Sequence, residues 1–168
     1  MIRSTGNEPT IRKSVTIPDG IVLEMDGFSY GLFTNRADMM MFSVRDFTLF
    51  LRGLSIDIAK ECDRIYNNKK KSEEMYEAEF TRLQSDLMTF LDDYNLSSTT
   101  MFTLYITQAH YNIIETLIGD DKPFRNIQDY CRVAIVWEIR RIRDLPVFVD
   151  EYMIDDTDNP YDDSHYVE

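Results

Sequence analysis

Acid–base chemistry near neutral pH would most readily use histidine, and this chain has two, His110 and His165. His165 lies among acidic residues in a segment without helical periodicity, whereas a catalytic group has to be held in a fixed position. His110 lies within a predicted helix between Ala109 and Tyr111, where a half-buried structural histidine is the expected role. The sequence therefore predicts no catalytic histidine.

Metal-ligand and cofactor motifs are also missing from the sequence. A di-iron bundle needs Glu-x-x-His pairs, but the residue three positions before His110 is Thr107. Residues 156–158 (Asp-Thr-Asp) begin like a calcium loop, yet Pro160 and the absence of a glycine break that pattern. There is no GxxxxGK[ST] or GxGxxG sequence. We therefore expect no cofactor, no metal and no enzymatic activity.

Two other patterns concern redox chemistry and cellular location. Cys62 and Cys131 have no metal-knuckle spacing and are too few for a disulfide scaffold, so we expect two buried thiols. The N-terminal sequence MIRSTGNEPT lacks the apolar region of a secretory signal. Residues 133–137 form the longest clearly apolar run, far shorter than the roughly 20 residues that span a bilayer. These features predict a cytoplasmic protein.

Three consecutive methionines, Met39, Met40 and Met41, form the first candidate interaction site. On a helix they cannot all face one core, so at least one is exposed unless a partner covers it. Methionine side chains adapt to varied partner surfaces. The alternative is a loop that folds over the core of the chain itself.

The C-terminal segment is the second candidate. Residues 144–168 contain nine acidic residues and no Lys or Arg, whereas residues 1–143 contain 21 acidic and 18 basic residues. Aromatic and apolar residues interrupt these acids, as in segments that fold while docking into a basic groove. The alternative is a disordered polyanion that only keeps the protein in solution. The candidate partner-binding residues are Asp155, Asp156, Asp158, Tyr161, Asp162, Asp163 and Tyr166.

This charge distribution indicates the kind of partner. Negative charge disfavours direct binding to nucleic acid and to anionic membranes, although Arg140, Arg141 and Arg143 form a basic cluster. A protein with a basic surface is the natural partner. We expect a non-enzymatic protein–protein interaction module that regulates or inhibits a larger machine, with the acidic tail acting as a nucleic-acid mimic. The alternative is a structural or assembly subunit, and a homo-oligomer remains open.

The fold predicted from these patterns is mainly α: an antiparallel bundle of about four helices with a small N-terminal β-hairpin or meander. Residues 1–13 read as a flexible N-terminal tail, residues 14–146 as a single globular domain and residues 147–168 as the acidic aromatic tail. Within the domain, residues 14–34 read as the β element and residues 36–146 as the helical bundle. Helices are predicted over about 36–67, 72–94, 97–118 and 123–145. Residues 36–67 are expected to form either one long helix or two helices joined near Gly53, and because Ser43 and Asp46 resemble a capping box, the main helix is expected to start at Ser43. The second helix carries a one-sided stripe that motivates the assembly alternative: Tyr76, Phe80, Leu83, Leu87, Phe90 and Tyr94.

Overall fold

The computed structural model describes residues 8–32 and 35–143, and the predicted acidic tail, residues 147–168, lies outside them. This part of the chain is mainly helical and contains a two-stranded antiparallel sheet, which confirms the predicted class. The elements in chain order are β1 (Thr10–Pro18), α1 (Asp19–Leu32), α2 (Arg36–Tyr66), α3 (Lys69–Met88), a 3₁₀ turn (Thr89–Leu91), β2 (Thr99–Thr107), α4 (Gln108–Glu115) and α5 (Ile127–Arg143).

The sheet joins two segments that are distant in sequence. β1 pairs with β2 from Thr10 opposite Thr107 to Pro18 opposite Thr99. One face of this two-stranded ribbon packs against the core and the other is open. On β2, Leu104 and Ile106 are buried, whereas Tyr105 between them is 53% exposed. The predicted flexible tail is therefore wrong for residues 10–13, which belong to β1.

Two predicted elements have the wrong secondary structure. The segment after Pro18, predicted as part of the β element over residues 14–34, forms α1, in which Ile21 and Met25 are fully buried four residues apart. The predicted third helix, 97–118, is wrong over β2, and only α4 is helical within it. In β2, hydrogen bonds to the distant strand β1 override the local helical pattern.

α2 is one continuous helix over the predicted helical range 36–67, but it is not capped where expected. The side chain of Asn35 caps it by accepting a hydrogen bond from the Asp38 backbone N–H at 2.9 Å. The expected cap, Ser43, lies inside the helix, where its hydroxyl donates to the Met39 carbonyl at 2.7 Å. The capping prediction is therefore wrong at Ser43.

The predicted antiparallel four-helix bundle is not confirmed. α2 and α3 do run antiparallel, because Ser55 bonds to Tyr76 and Asp63 bonds to Ser72. α5 is arranged differently. Tyr130, Trp137 and Arg141 are spread over about three turns of α5, yet all contact residues 46–50 of α2. The two helices therefore cross steeply.

The core lies where this crossing meets the sheet. Phe47 contacts Phe124 and Tyr130 with ring centroids 6.2 and 5.3 Å apart, and all three side chains are fully buried. Cys62 and Cys131 are free and buried, as predicted. Burial raises the pKa of the Cys131 thiol to about 12, so this thiol stays protonated and unreactive.

Candidate protein-interaction site

The outer edge of β1 is blocked by a side chain and by charge. Arg132 on α5 donates from Nε to the Thr16 carbonyl at 2.8 Å and from Nη2 to the Thr16 hydroxyl at 2.9 Å. Arg12 and Lys13 add positive charge to this strand, and Pro18 ends it. Charged residues, proline and covering side chains are the devices that keep a sheet edge from pairing with another strand.

β2 carries none of these devices. Its sequence, TTMFTLYIT, has no proline and no charged residue and is rich in residues that favour strands. Among residues 8–32 and 35–143, the backbone hydrogen bonds of β2 go only to β1. The sheet therefore has one blocked edge and one edge without these devices.

The hydrogen bonds at both ends of the ladder show which groups of β2 face outward. The backbone N–H of Asp19 donates to the Ser98 carbonyl, and the backbone N–H of Gln108 donates to the Pro9 carbonyl, both at 2.9 Å. Hydrogen-bonded and non-hydrogen-bonded residue pairs alternate along an antiparallel ladder. The odd-numbered residues of β1 therefore form backbone hydrogen bonds with the even-numbered residues of β2. The backbone groups that point away from β1 belong to Thr99, Met101, Thr103, Tyr105 and Thr107.

A cleft of about 260 Å³ lies between this edge and the N-terminal half of α2. Three consecutive residues of β2, 105–107, line it, and because strand side chains alternate, the cleft must follow the edge of the strand. Met41, Phe42 and Val44 supply its apolar wall, and Asp38 and Arg45 stand beside them. A strand added to β2 would find an apolar surface next to its hydrogen-bonding partner.

His110 closes the cleft at the start of α4. Its Nδ1 lies 2.9 Å from the Thr107 hydroxyl, which also accepts from the His110 backbone N–H and caps the helix. Burial lowers the pKa of His110, Glu8 raises it and Arg45 lowers it, with burial the largest effect. The ring is therefore neutral at pH 7, and this hydroxyl–histidine pair serves to cap α4.

The structure separates the three predicted methionines. Met39 and Met40 are fully buried in the core of the chain, within α2 and not in a loop, so a partner cannot reach them in this conformation. Met41 is half-buried and lines the cleft, where partner contact stays a prediction. The predicted tail residues lie outside the described part of the chain: Asp155, Asp156, Asp158, Tyr161, Asp162, Asp163 and Tyr166.

The basic cluster at the end of α5 is neutralised within the fold. Each arginine pairs with a carboxylate of another turn or element: Arg140 with Asp93, Arg141 with Glu138 and Arg143 with Glu24. Paired cations of this kind offer less charge to a phosphate backbone than free ones. The arrangement weakens the case for nucleic-acid binding by this cluster.

Sequence reasoning missed the edge residues Met101, Thr103 and Tyr105. Met101 and Tyr105 are 69% and 53% exposed, both on the open face of the ribbon. The signal that could have found them is the density of threonine, isoleucine and aromatic residues over 99–107, which favours a strand. The run Phe102, Leu104 and Ile106 also alternates with period two.

Comparison with known proteins adds no relative. No family model, curated protein or solved structure matches the chain. Within residues 8–32 and 35–143, no three His, Cys, Asp or Glu side chains lie close enough together to hold a metal ion. No helix in this part of the chain is both long and apolar enough to cross a bilayer.

Proposed function

We propose that this chain is a non-enzymatic protein–protein interaction module that regulates or inhibits a larger machine. The observation that carries the proposal is the difference between the two sheet edges. Arg132 and the charges of β1 block one edge, while β2 offers its backbone groups beside an apolar cleft. Strand addition at such an edge gives affinity through main-chain hydrogen bonds and specificity through side-chain pockets.

The cleft supplies the specificity. A strand paired with β2 would turn alternate side chains toward the wall formed by Met41 and Phe42. Arg45 at the rim stacks over the Phe42 ring at 5.1 Å and keeps its charge near solvent. An extended segment with small or apolar residues at alternate positions fits this environment.

The acidic segment would add a second contact. Nine acids without a base after Arg143 would be attracted to a basic surface on the partner and could occupy a path that otherwise holds phosphates. Long-range attraction of this kind mainly speeds association and is screened by salt. Strand addition would then supply the short-range, salt-insensitive part of the affinity.

The test separates the two contacts. Proteins from the source cell are captured on the wild-type chain, on Tyr105→Lys and on a deletion of residues 147–168. Leu23→Lys is the matched control, since Leu23 on α1 is 72% exposed and does not line the cleft. The captured protein is then purified, and its affinity for each variant is measured over a range of salt concentrations.

We expect Leu23→Lys to bind like the wild type, Tyr105→Lys to bind more weakly at every salt concentration, and the deletion to lose the salt dependence. Far-UV circular dichroism and thermal unfolding check that each variant is folded. Binding that neither Tyr105→Lys nor the deletion changes would remove both contacts from the mechanism.

A second candidate function is a structural or assembly subunit. Leu49 and Ile56 on α2 are 46% and 45% exposed and lie seven residues apart, on one side of the helix. Regular apolar exposure of this kind suits packing against a neighbouring helix. Sedimentation of the purified chain separates the candidates, because a large, closed oligomer that persists on dilution favours assembly.

A further inference from the structure

The free edge of β2 is complementary to itself. If two β2 strands meet antiparallel about Thr103, Met101 of each copy faces Tyr105 of the other, and Thr99 faces Thr107. All five outward-facing residues then form hydrogen-bonded pairs, so no outward N–H or C=O along the strand is left without a partner. A register shifted by two residues would leave outward groups unpaired at both ends.

The side chains agree with this register. Met101 and Tyr105 are the two most exposed apolar side chains of β2, and each would cover the other. Methionine sulfur packs well against an aromatic ring, and cross-strand neighbours of this kind stabilise a sheet. No like charges oppose each other, because the strand has no charged residue.

The cleft has room for the end of the second strand. In this register Thr99 and Thr100 of the second copy would enter the cleft beside Ile106 and Thr107. Two threonines suit a cleft of about 260 Å³, because their side chains are small. Their methyl groups would lie toward Met41.

Pairing of this kind stops at two copies. Once two β2 strands are joined, the edges left outside are those of β1, where Arg132 already occupies the Thr16 carbonyl and Arg12 and Lys13 carry charge. Such edges resist further strand addition. A closed, twofold-symmetric pair therefore accounts for one edge being blocked and the other left open.

Building on the function proposed above, we infer that the strand added at the β2 edge comes from a second copy of this chain, which forms a four-stranded sheet in the order β1-β2-β2-β1 and leaves contact with the larger partner to the acidic segments. The pair would present two acidic segments to a larger partner. Two linked contacts bind more tightly than one when the partner offers two matching surfaces.

The first experiment tests the symmetry point at Thr103. Sedimentation velocity over a range of concentrations should show a dimer for the wild type. Thr103→Lys and Thr103→Glu should each raise the dissociation constant roughly tenfold or more, because they place two like charges directly opposite each other. An equimolar mixture of the two variants should restore the dimer, which also shows that both variants fold.

The second experiment tests the register. Thr103→Cys should crosslink two copies through a short thiol reagent, since paired residues lie about 5.5 Å apart. Thr99→Cys is the matched control, because its two copies would be separated by about 27 Å. The native Cys62 and Cys131 are buried and do not compete.

The outcomes are decisive for each proposal separately. A wild type that is monomeric at all concentrations, a charge pair that fails to restore dimers, or Thr99→Cys crosslinking as readily as Thr103→Cys would overturn the self-pairing. A monomer whose capture of another protein still depends on Tyr105 would overturn it while supporting the proposed function. A dimer that captures no other protein would support self-pairing and contradict the proposed function.

Discussion

The buried hydrogen bond between Thr48 and Tyr130 holds α2, which carries the wall of the cleft, against α5. Their hydroxyl oxygens lie 2.7 Å apart, and both residues are fully buried. The Thr48 hydroxyl also donates to the Val44 carbonyl at 2.7 Å, so the proton between the two hydroxyls comes from Tyr130. Burial raises the pKa of Tyr130 and keeps that proton in place.

Because Tyr130 is the donor and Thr48 the acceptor, substitutions of the two residues should lower stability by different amounts. Tyr130→Phe removes the donor and leaves no group unpaired, because Thr48 still donates to Val44, so it should lower the free energy of unfolding by about 0.5–1.5 kcal/mol. Thr48→Val leaves the Tyr130 hydroxyl buried without an acceptor and should lower it by about 1–3 kcal/mol. Adding Tyr130→Phe to Thr48→Val removes that unpaired hydroxyl and should recover stability.

Urea unfolding of the four proteins at pH 7, followed by far-UV circular dichroism, measures these differences as shifts in midpoint at constant slope. We expect the order wild type, Tyr130→Phe, double variant and Thr48→Val, with the middle two close together. A double variant less stable than Thr48→Val, or a Tyr130→Phe variant less stable than Thr48→Val, would refute the assigned donor and acceptor.

Three further predictions concern other elements. Because burial lowers the pKa of His110 in the fold, the unfolded chain takes up a proton as the pH falls below 6.5 before the folded chain does, so the free energy of unfolding decreases as pH falls. His110→Gln should flatten this dependence of stability on pH in urea titrations, and an unchanged slope would contradict the prediction. Gln84 is buried with an unpaired amide nitrogen, so Gln84→Met should raise the free energy of unfolding by about 1 kcal/mol, whereas a decrease would show that the amide has a partner. Asn35→Ala removes the cap of α2 and should lower the free energy of unfolding by about 1 kcal/mol in the same assay. No change in that free energy would mean that the Asp38 N–H finds another acceptor.

α2, α3 and α5 could be predicted from the sequence because a helix records its burial in neighbouring residues. In α2, Phe47 and Leu51 are buried four residues apart, as the periodicity indicates. The ends were less well predicted. α3 runs over Lys69–Met88 instead of 72–94, because Asn68 caps it by accepting from the backbone N–H groups of Lys70 and Lys71.

β2 could not be predicted in this way because its residues fit two patterns. Phe102, Ile106 and Ala109 follow a helical spacing, whereas Phe102, Leu104 and Ile106 alternate as in a strand. The choice between them depended on β1, whose residues lie more than 80 positions earlier in the chain. Local propensity gives way when a distant strand supplies the hydrogen bonds and the buried face.

The candidate site, too, could be predicted from the sequence only in part. The sequence indicated Met41 as one of three methionines that a single core could not hold, and Met41 does line the cleft. It gave no sign that Arg132 would block one edge of a sheet and leave the other open. That contrast depends on a hydrogen bond to Thr16, 116 residues away.

The sequence by itself determined the charge asymmetry, the buried cysteines and the helices whose hydrogen bonds close within four residues. Only the tertiary structure decided which segments became strands, which edge stayed free and which methionines were buried. The physical reason is the range of the interactions. Helical bonds and charge are local properties of the chain, whereas a sheet edge exists only after two distant segments have paired.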